Sequence, residues 1–331
     1  MAQSATRLKS QTFSNDVITL HDEQNYVFGD VFSLTDAMIG GNDTITGSDN
    51  VRGTVYGEDG VTILYERGNR AYGDAVEMHG TSKGGADIFH GGFNSLNEFV
   101  GDAGLMTDTT FGGADKLYGG TNSDNHLSGD ATDMNSSAKG GSDYLEGGAS
   151  IASIDNTGTP HVVFGDAYNV MLGDASTMAG SAQGGQDTMV GGSVTGIYDF
   201  NLGSTASMVF NLMAGDAGAM HDGAIGQIDT LTGGKALGQD AYAFNLMSGD
   251  AFDLGGVARA ANDTLVGGDA NSGVAGTLVI NSDSYSVGSF NDGALTLNLM
   301  AGDTFSQDSG ALVAFGSDTM RGGSGAAGTE S

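Results

Sequence analysis

Seven times along this chain an aspartate is followed thirteen residues later by another: Asp30–Asp43, Asp74–Asp87, Asp102–Asp115, Asp130–Asp143, Asp174–Asp187, Asp216–Asp229 and Asp250–Asp263. An eighth pair, Asp303–Asp318, is 15 residues apart. The first aspartate of each pair follows glycine and precedes a small residue, as in the Gly-Asp-Ala at 101–103. The second sits in x-Asp-x-apolar, mostly between glycines. Spacing this constant marks a structural unit. A unit this short cannot bury a core alone, whereas stacked neighbours can.

Apolar residues keep the same register. Two residues after each second aspartate stand Ile45, Phe89, Leu117, Leu145, Met189, Leu231, Leu265 and Met320. Four after each first aspartate stand Leu34, Met78, Met106, Met134, Met178, Met220 and Leu254, with Gln307 the exception. Two before each Gly-Asp stand Val27, Ala71, Phe99, Leu127, Met171, Met213, Met247 and Met300. Threonine, a β-branched strand former, follows five of the eight second aspartates. Glycine every few residues costs a helix about 1 kcal/mol each. The pattern therefore predicts an all-β fold, with short parallel strands and glycine turns wound into a β-solenoid over residues 27–323. Residues 1–26 are expected as an end cap and 324–331 as a tail. The stretches at 209–217, 243–251 and 296–304 read as longer strands. Their Asn211, Asn245 and Asn298 are read as ordinary strand polars in preference to a stacked amide ladder. The methionines, 14 in all, recur at repeat positions and read as core filler.

Composition sharpens the meaning of the aspartates. Of 41 acidic residues 34 are aspartate, against 11 Lys+Arg, for a net charge of −30. Glycine numbers 58 without a three-residue period, which excludes collagen and points to a repeat needing positive φ at fixed places. Self-repulsion at this charge opposes a compact state unless something neutralises it. Nucleic acid and anionic membrane surfaces are poor partners for it, and no apolar run is long enough to span a membrane. With no cysteine, disulfides and thiolate metal sites are excluded. Aspartate holds its carboxylate close to the backbone, where it joins carbonyl oxygens around a hard cation.

The stretch GGADKLYGG, residues 112–120, resembles the nonapeptide G-G-x-G-x-D-x-U-x of the RTX (repeats-in-toxin) family. With Gly101 at the first place of one nonapeptide, Asp115 falls at the sixth place of the next and Leu117 at the apolar U place. The match is partial, because Gly-Asp replaces one Gly-Gly and the interval from Asp87 to Asp102 slips the nine-residue phase. The resemblance implies a parallel β-roll with calcium between its turns, bound by Asp43, Asp87, Asp115, Asp143, Asp187, Asp229, Asp263 and Asp318 with glycine carbonyls. The Gly-Asp row (Asp30, Asp74, Asp102, Asp130, Asp174, Asp216, Asp250 and Asp303) departs from the family pattern. It stands either as a second metal row or as plain turn aspartates. The resemblance also implies type I secretion, which fits the absence of an apolar leader in MAQSATRLKSQTFSNDVITL.

Signatures of catalysis are weak. The six histidines form no HExxH. The GTSKG at 80–84 lies inside a repeat turn, and the GGK at 233–235 lacks the Ser/Thr of a phosphate loop. The expected function is a secreted calcium-binding repeat protein, not an enzyme, with a structural or adhesive role in a biofilm matrix, surface layer or adhesin. It partners cell-surface polysaccharide or further copies of itself in a filament or lattice. The alternative is a polysaccharide-modifying β-helix, epimerase- or lyase-like, whose paired carboxylates would lie among the aspartates.

Overall fold

The computed structural model describes residues 12–21, 26–56, 63–158, 160–163, 165–199, 203–238, 240–270, 273–279, 284–286, 294–307 and 313–324. The tail from 325 onward and most of the expected cap, residues 1–11 and 22–25, lie outside them.

A single coil shows how the sequence becomes structure. Leu96–Val100 runs along face 1, Gly101-Asp102 turns the chain, and Ala103–Met106 runs along face 2. A turn follows, then one bridging residue, Phe111, and the Gly112–Asp115 corner. Lys116–Tyr118 forms face 3, and Gly119-Gly120 leads back to face 1 at Asp124–Ser128. Each face pairs in parallel with the same face of the next coil: Phe99 opposite Leu127, Met106 opposite Met134, Leu117 opposite Leu145. The faces build sheets of ten, eight and nine strands, and the bridging residues run as a fourth ladder from Thr12 through Phe111 to Ala314. The described chain is thus an all-β parallel solenoid without helices. These coils repeat every 28 residues, as the pairing of Lys83 with Phe111 and Phe111 with Lys139 shows. That length is not a multiple of nine, which is why a nine-residue phase slips.

Longer intervals between units are absorbed outside the stack. Antiparallel hairpins pair 54–56 with 63–66, 153–155 with 161–163 and 197–199 with 203–205. The three longer strands expected from sequence are present as Ser207–Ala214, Ala241–Ser248 and Ala294–Ala301.

The core is split. Face 2 supplies one apolar column: Leu34, Met78, Met106, Met134, Met178, Met220 and Leu254, with alanines between. Faces 1 and 3 meet in another, where Phe99, Leu127 and Met171 pack against Phe89, Leu117 and Leu145. Most of the apolar positions legible in the sequence are fully buried; Met320, in the last coil, is 38 % exposed because no later coil covers it. Long coils add a small-residue column of Ala167, Val194, Val209, Ala236 and Ala243. Full burial of each large side chain contributes about 1.5–3 kcal/mol.

Glycine has a different purpose from the one expected. The glycines of the Gly-Asp and Gly-Gly corners do not adopt left-handed φ; they are needed because other atoms occupy the place of a side chain. A Cβ at Gly101 would sit 1.6 Å from the Gly129 carbonyl oxygen. Left-handed φ recurs instead six residues after each Gly-Asp aspartate, at Asp36, Gly80, Asp108, Ser136, Gly180, Asp222 and Gly256. Only three of those seven are glycine.

Candidate metal centre

All sixteen aspartates singled out in the sequence lie among the described residues, and the coil brings them together in two adjacent rows. The Gly-Asp corner and the Gly-Gly-x-Asp corner of one coil touch across its interior and pinch it into the two apolar columns. Asp102 closes this pinch by accepting the Gly113 N–H, at 3.0 Å to Oδ1 and 2.9 Å to Oδ2. Asp74 accepts from Gly85, Asp130 from Gly141 and Asp174 from Gly185 in the same way.

The other row runs along the stack. The backbone N–H of Asp87 donates to Oδ1 of Asp115 (2.6 Å), that of Asp115 to Asp143 (2.7 Å), and that of Asp143 to Asp187 (2.7 Å). The ladder continues through Asp229 and Asp263 to Asp318. Each carboxylate therefore spends one oxygen on the rung before it. The second oxygen lies over the Gly-Asp glycine of its own coil. A Cβ on Gly101 would meet Asp115 Oδ2 at 2.1 Å, beside the Gly129 carbonyl, so two acceptor oxygens converge there.

Those second oxygens are the chemical anomaly of the molecule. Among the described residues 13 buried side-chain polar atoms have no hydrogen-bond partner, and 11 of them are carboxylate oxygens of these two rows. Buried polar groups are normally satisfied, and a buried unpaired charge is costly. The inner aspartates are 0–3 % exposed. Burial, then the neighbouring carboxylates, weaken them as acids and push their pKa values up. Asp87 rises to about 8 and Asp250 to about 9, while burial raises Asp187 to about 7. Asp102, Asp115, Asp130 and Asp216 move the same way for the same reasons. Row neighbours also converge on each other: a Cβ on Gly112 would meet Asp130 Oδ1 at 1.6 Å and Asp102 Oδ2 at 2.9 Å.

Oxygens so placed accept either a proton or a hard cation. The donor set, carboxylates and glycine carbonyls without nitrogen or sulfur, fits calcium chemistry. Six to eight oxygens in a forgiving geometry suit calcium better than magnesium, which demands near-ideal octahedral geometry and keeps several waters.

Two features escaped the sequence reading. Asp16 belongs to the second row: its N–H donates to Asp43 Oδ1 at 2.7 Å, and Val17–Thr19 pairs with Thr44–Thr46. Its signal is the same x-Asp-x-apolar string, ending at Ile18, but without glycine or a Gly-Asp thirteen residues earlier. Asparagine is the other. Asn211, Asn245 and Asn298 are not ordinary strand polars. They close a buried amide ladder that runs Asn69, Asn97, Asn125, Asn169, Asn211, Asn245, Asn298, each Nδ2 donating to the next Oδ1 at 2.7–2.9 Å. From Asn97 on, each Oδ1 also accepts the N–H of a Gly-Gly turn, as Asn125 does from Gly120 at 2.8 Å. Asparagine five residues before the Gly-Asp aspartate was the available sign.

The motifs set aside for catalysis are structural. Ser82 of GTSKG is buried in a turn, its hydroxyl donating to the His79 carbonyl. Gly234 of GGK is capped by Asn245, and Lys235 lies 3.6 Å from Asp269. Histidine enters no group of three metal-ligating side chains among the described residues. Searches against family models, curated proteins and solved structures find no match to this chain.

Proposed function

We propose that this protein is a calcium-stapled solenoid, related in design to the RTX repeats, with a structural or adhesive role outside the cell. The observation that carries this reading is the double spine of buried aspartates, 11 of whose carboxylate oxygens lack donors. Both rows take part. The Gly-Asp aspartates are as buried as the others, and their neighbouring carboxylates approach one another over the corner glycines. Calcium between successive rungs supplies the missing positive charge; eight ions reduce the net charge of −30 to about −14 and sixteen to about +2. The sites exist only when coils are stacked, so binding free energy is folding free energy. A chain of this kind is only marginally folded where calcium is scarce and firmly folded where it is plentiful, which suits export by a type I route.

The rest of the molecule supports a scaffold in preference to an enzyme. The buried aspartates are committed to the spine, and an enzymatic reading would draw instead on surface groups such as Asp124, His126 and Tyr168, which line an open cleft with Arg52, Glu66 and Arg67. The terminal strands of the described sheets suit end-to-end assembly or attachment to a surface polysaccharide.

Circular dichroism of the chelated protein during calcium titration tests the reading. The expected result is a gain in β signal and a large rise in melting temperature, with several calcium equivalents bound per chain. A spectrum and melting temperature indifferent to chelator refute it.

A further inference from the structure

The inner rungs are nearly inaccessible to solvent, so ions must enter and leave the spine somewhere. The structure assigns that role to a terminal cation site made by Asp16, Asp30 and Asp43, an inference that rests on the calcium reading above. Their carboxylate oxygens lie within 4.8 Å of one another, and no other group of three acidic, histidine or cysteine side chains among the described residues does so. Oxygens at the 2.3–2.6 Å typical of calcium lie no more than about 5 Å apart around one ion. The trio therefore has the span of a single coordination sphere.

Each member has an oxygen to offer. Asp30 uses Oδ2 to accept the Gly41 N–H at 2.7 Å, leaving Oδ1. Asp43 uses Oδ1 to accept the Asp16 N–H, leaving Oδ2, which is buried and has no hydrogen-bond partner although Asp43 is only 1 % exposed. Asp16 heads its row, so no earlier rung among the described residues ties its carboxylate to the ladder. A backbone oxygen is close too: a Cβ on Gly41 would meet the Ser14 carbonyl at 2.2 Å and Asp30 Oδ1 at 3.2 Å.

Two properties set this site apart from the inner rungs. It gathers three carboxylates around one point, and calcium affinity rises with ligand charge. It is also open, since Asp16 is exposed and Asp30 half-buried, whereas Asp74, Asp87, Asp102 and Asp115 are buried. Filling it pins Val17–Thr19 onto Thr44–Thr46 and closes that end of face 3. Emptying it exposes the next pair of rungs. The terminal site thus senses external calcium for the stack behind it.

The test uses the full chain, with Asp16→Asn, Asp16→Glu and, as an inner comparison, Asp115→Asn. Bound calcium is counted by equilibrium dialysis and elemental analysis, and hydrogen exchange is followed by mass spectrometry. In saturating calcium, Asp16→Asn should bind one equivalent fewer than wild type and lose protection over 17–19 and 44–46. Strands 116–118 and 144–146 should keep theirs, and Asp16→Glu should restore the missing equivalent. In chelator, wild type and Asp16→Asn should exchange alike over 17–19, because the amide of residue 16 still donates to Asp43. Unchanged calcium count and protection in Asp16→Asn overturn the terminal site while leaving the inner spine standing. A wild-type chain that binds no calcium overturns both.

Discussion

Replacing one inner aspartate by asparagine should change stability in opposite directions with and without calcium. Asp87 is the clearest position. It is fully buried, its Oδ1 accepts the Asp43 N–H at 2.5 Å, and its Oδ2 has no partner. Burial, with the charges of Asp43 and Asp30, raises its pKa from 3.8 to about 8, against the opposing pull of the Asp43 N–H. Each tenfold mismatch in proton affinity is worth about 1.4 kcal/mol, so at pH 7 an ion-free Asp87 opposes folding by on the order of 4 kcal/mol. Asparagine has the same shape and keeps the Oδ1 acceptor. Its Nδ2 takes the place of Oδ2 and faces the Gly101 carbonyl; a Cβ on Gly73 would meet those two oxygens at 1.9 and 1.8 Å. At roughly 2 °C per kcal/mol, Asp87→Asn should raise the melting temperature in chelator by about 8 °C. In millimolar calcium the same variant lacks an anionic ligand and should melt below wild type. Differential scanning calorimetry of both proteins in both buffers decides. A variant less stable than wild type in chelator as well would show that the carboxylate is needed for its hydrogen bonds alone, and the cation argument would fail.

Other positions test separate parts of the architecture. Gly101→Ala places a methyl 1.6 Å from a backbone oxygen of the next coil and 2.1 Å from Asp115 Oδ2. Neither can retreat without breaking the stack, so a loss of at least about 3 kcal/mol is expected in urea unfolding, and a neutral outcome would contradict the register. Asn125→Ala strands the Gly120 N–H and the Asn97 Nδ2 inside the coil and should cost about 2–4 kcal/mol. Hydrogen exchange should locate the loss near 119–125, and uniform loss elsewhere would refute a local role. The pH dependence of the chelated protein follows from the raised carboxyl pKa values. Folded carboxyls hold protons more tightly than unfolded ones, so this contribution is favourable below about pH 4. It is lost as pH rises through about 7 for Asp187 and Asp263, 8 for Asp87 and 9 for Asp250. Melting temperature in chelator should therefore fall steadily from pH 5 to 9, whereas with calcium it should hold or rise as protons cease to compete. A flat profile in chelator refutes the buried spine.

The periodic part of this molecule was legible because each coil must repeat what its neighbour presents. Leu117 and Met106 announce themselves by recurring at fixed distances from an aspartate, and both are fully buried. The thirteen-residue interval is now explained: it is the path from one side of the pinch, through face 2 and the bridging residue, to the other. The count of faces was not legible, since three-residue strands such as Lys116–Tyr118 carry too few side chains to be told from turns. Asn97 and Asn125 were passed over because a polar residue in a strand ordinarily faces water. Their inward aim is set by the Gly-Gly turns they cap, which only the closed coil brings near. Asp16 was hidden for a related reason, because it lacks the corner glycines, and among the described residues no earlier rung presses on its corner.

Glycine-rich backbone has little intrinsic preference for one register over another, and apolar columns of methionine and alanine tolerate sliding. The polar ladders remove that freedom. Sliding one coil by a single residue would move Asp115 Oδ1 from the Asp87 N–H and Asn97 Nδ2 from the Asn125 Oδ1 at once, leaving buried groups on both sides unmet. The asparagine ladder is neutral and complete, so it fixes register without help. The aspartate ladder is charged and half satisfied, so it fixes register only when something fills its second oxygens. One spine thus makes the stack specific, and the other makes it conditional on the surrounding solution.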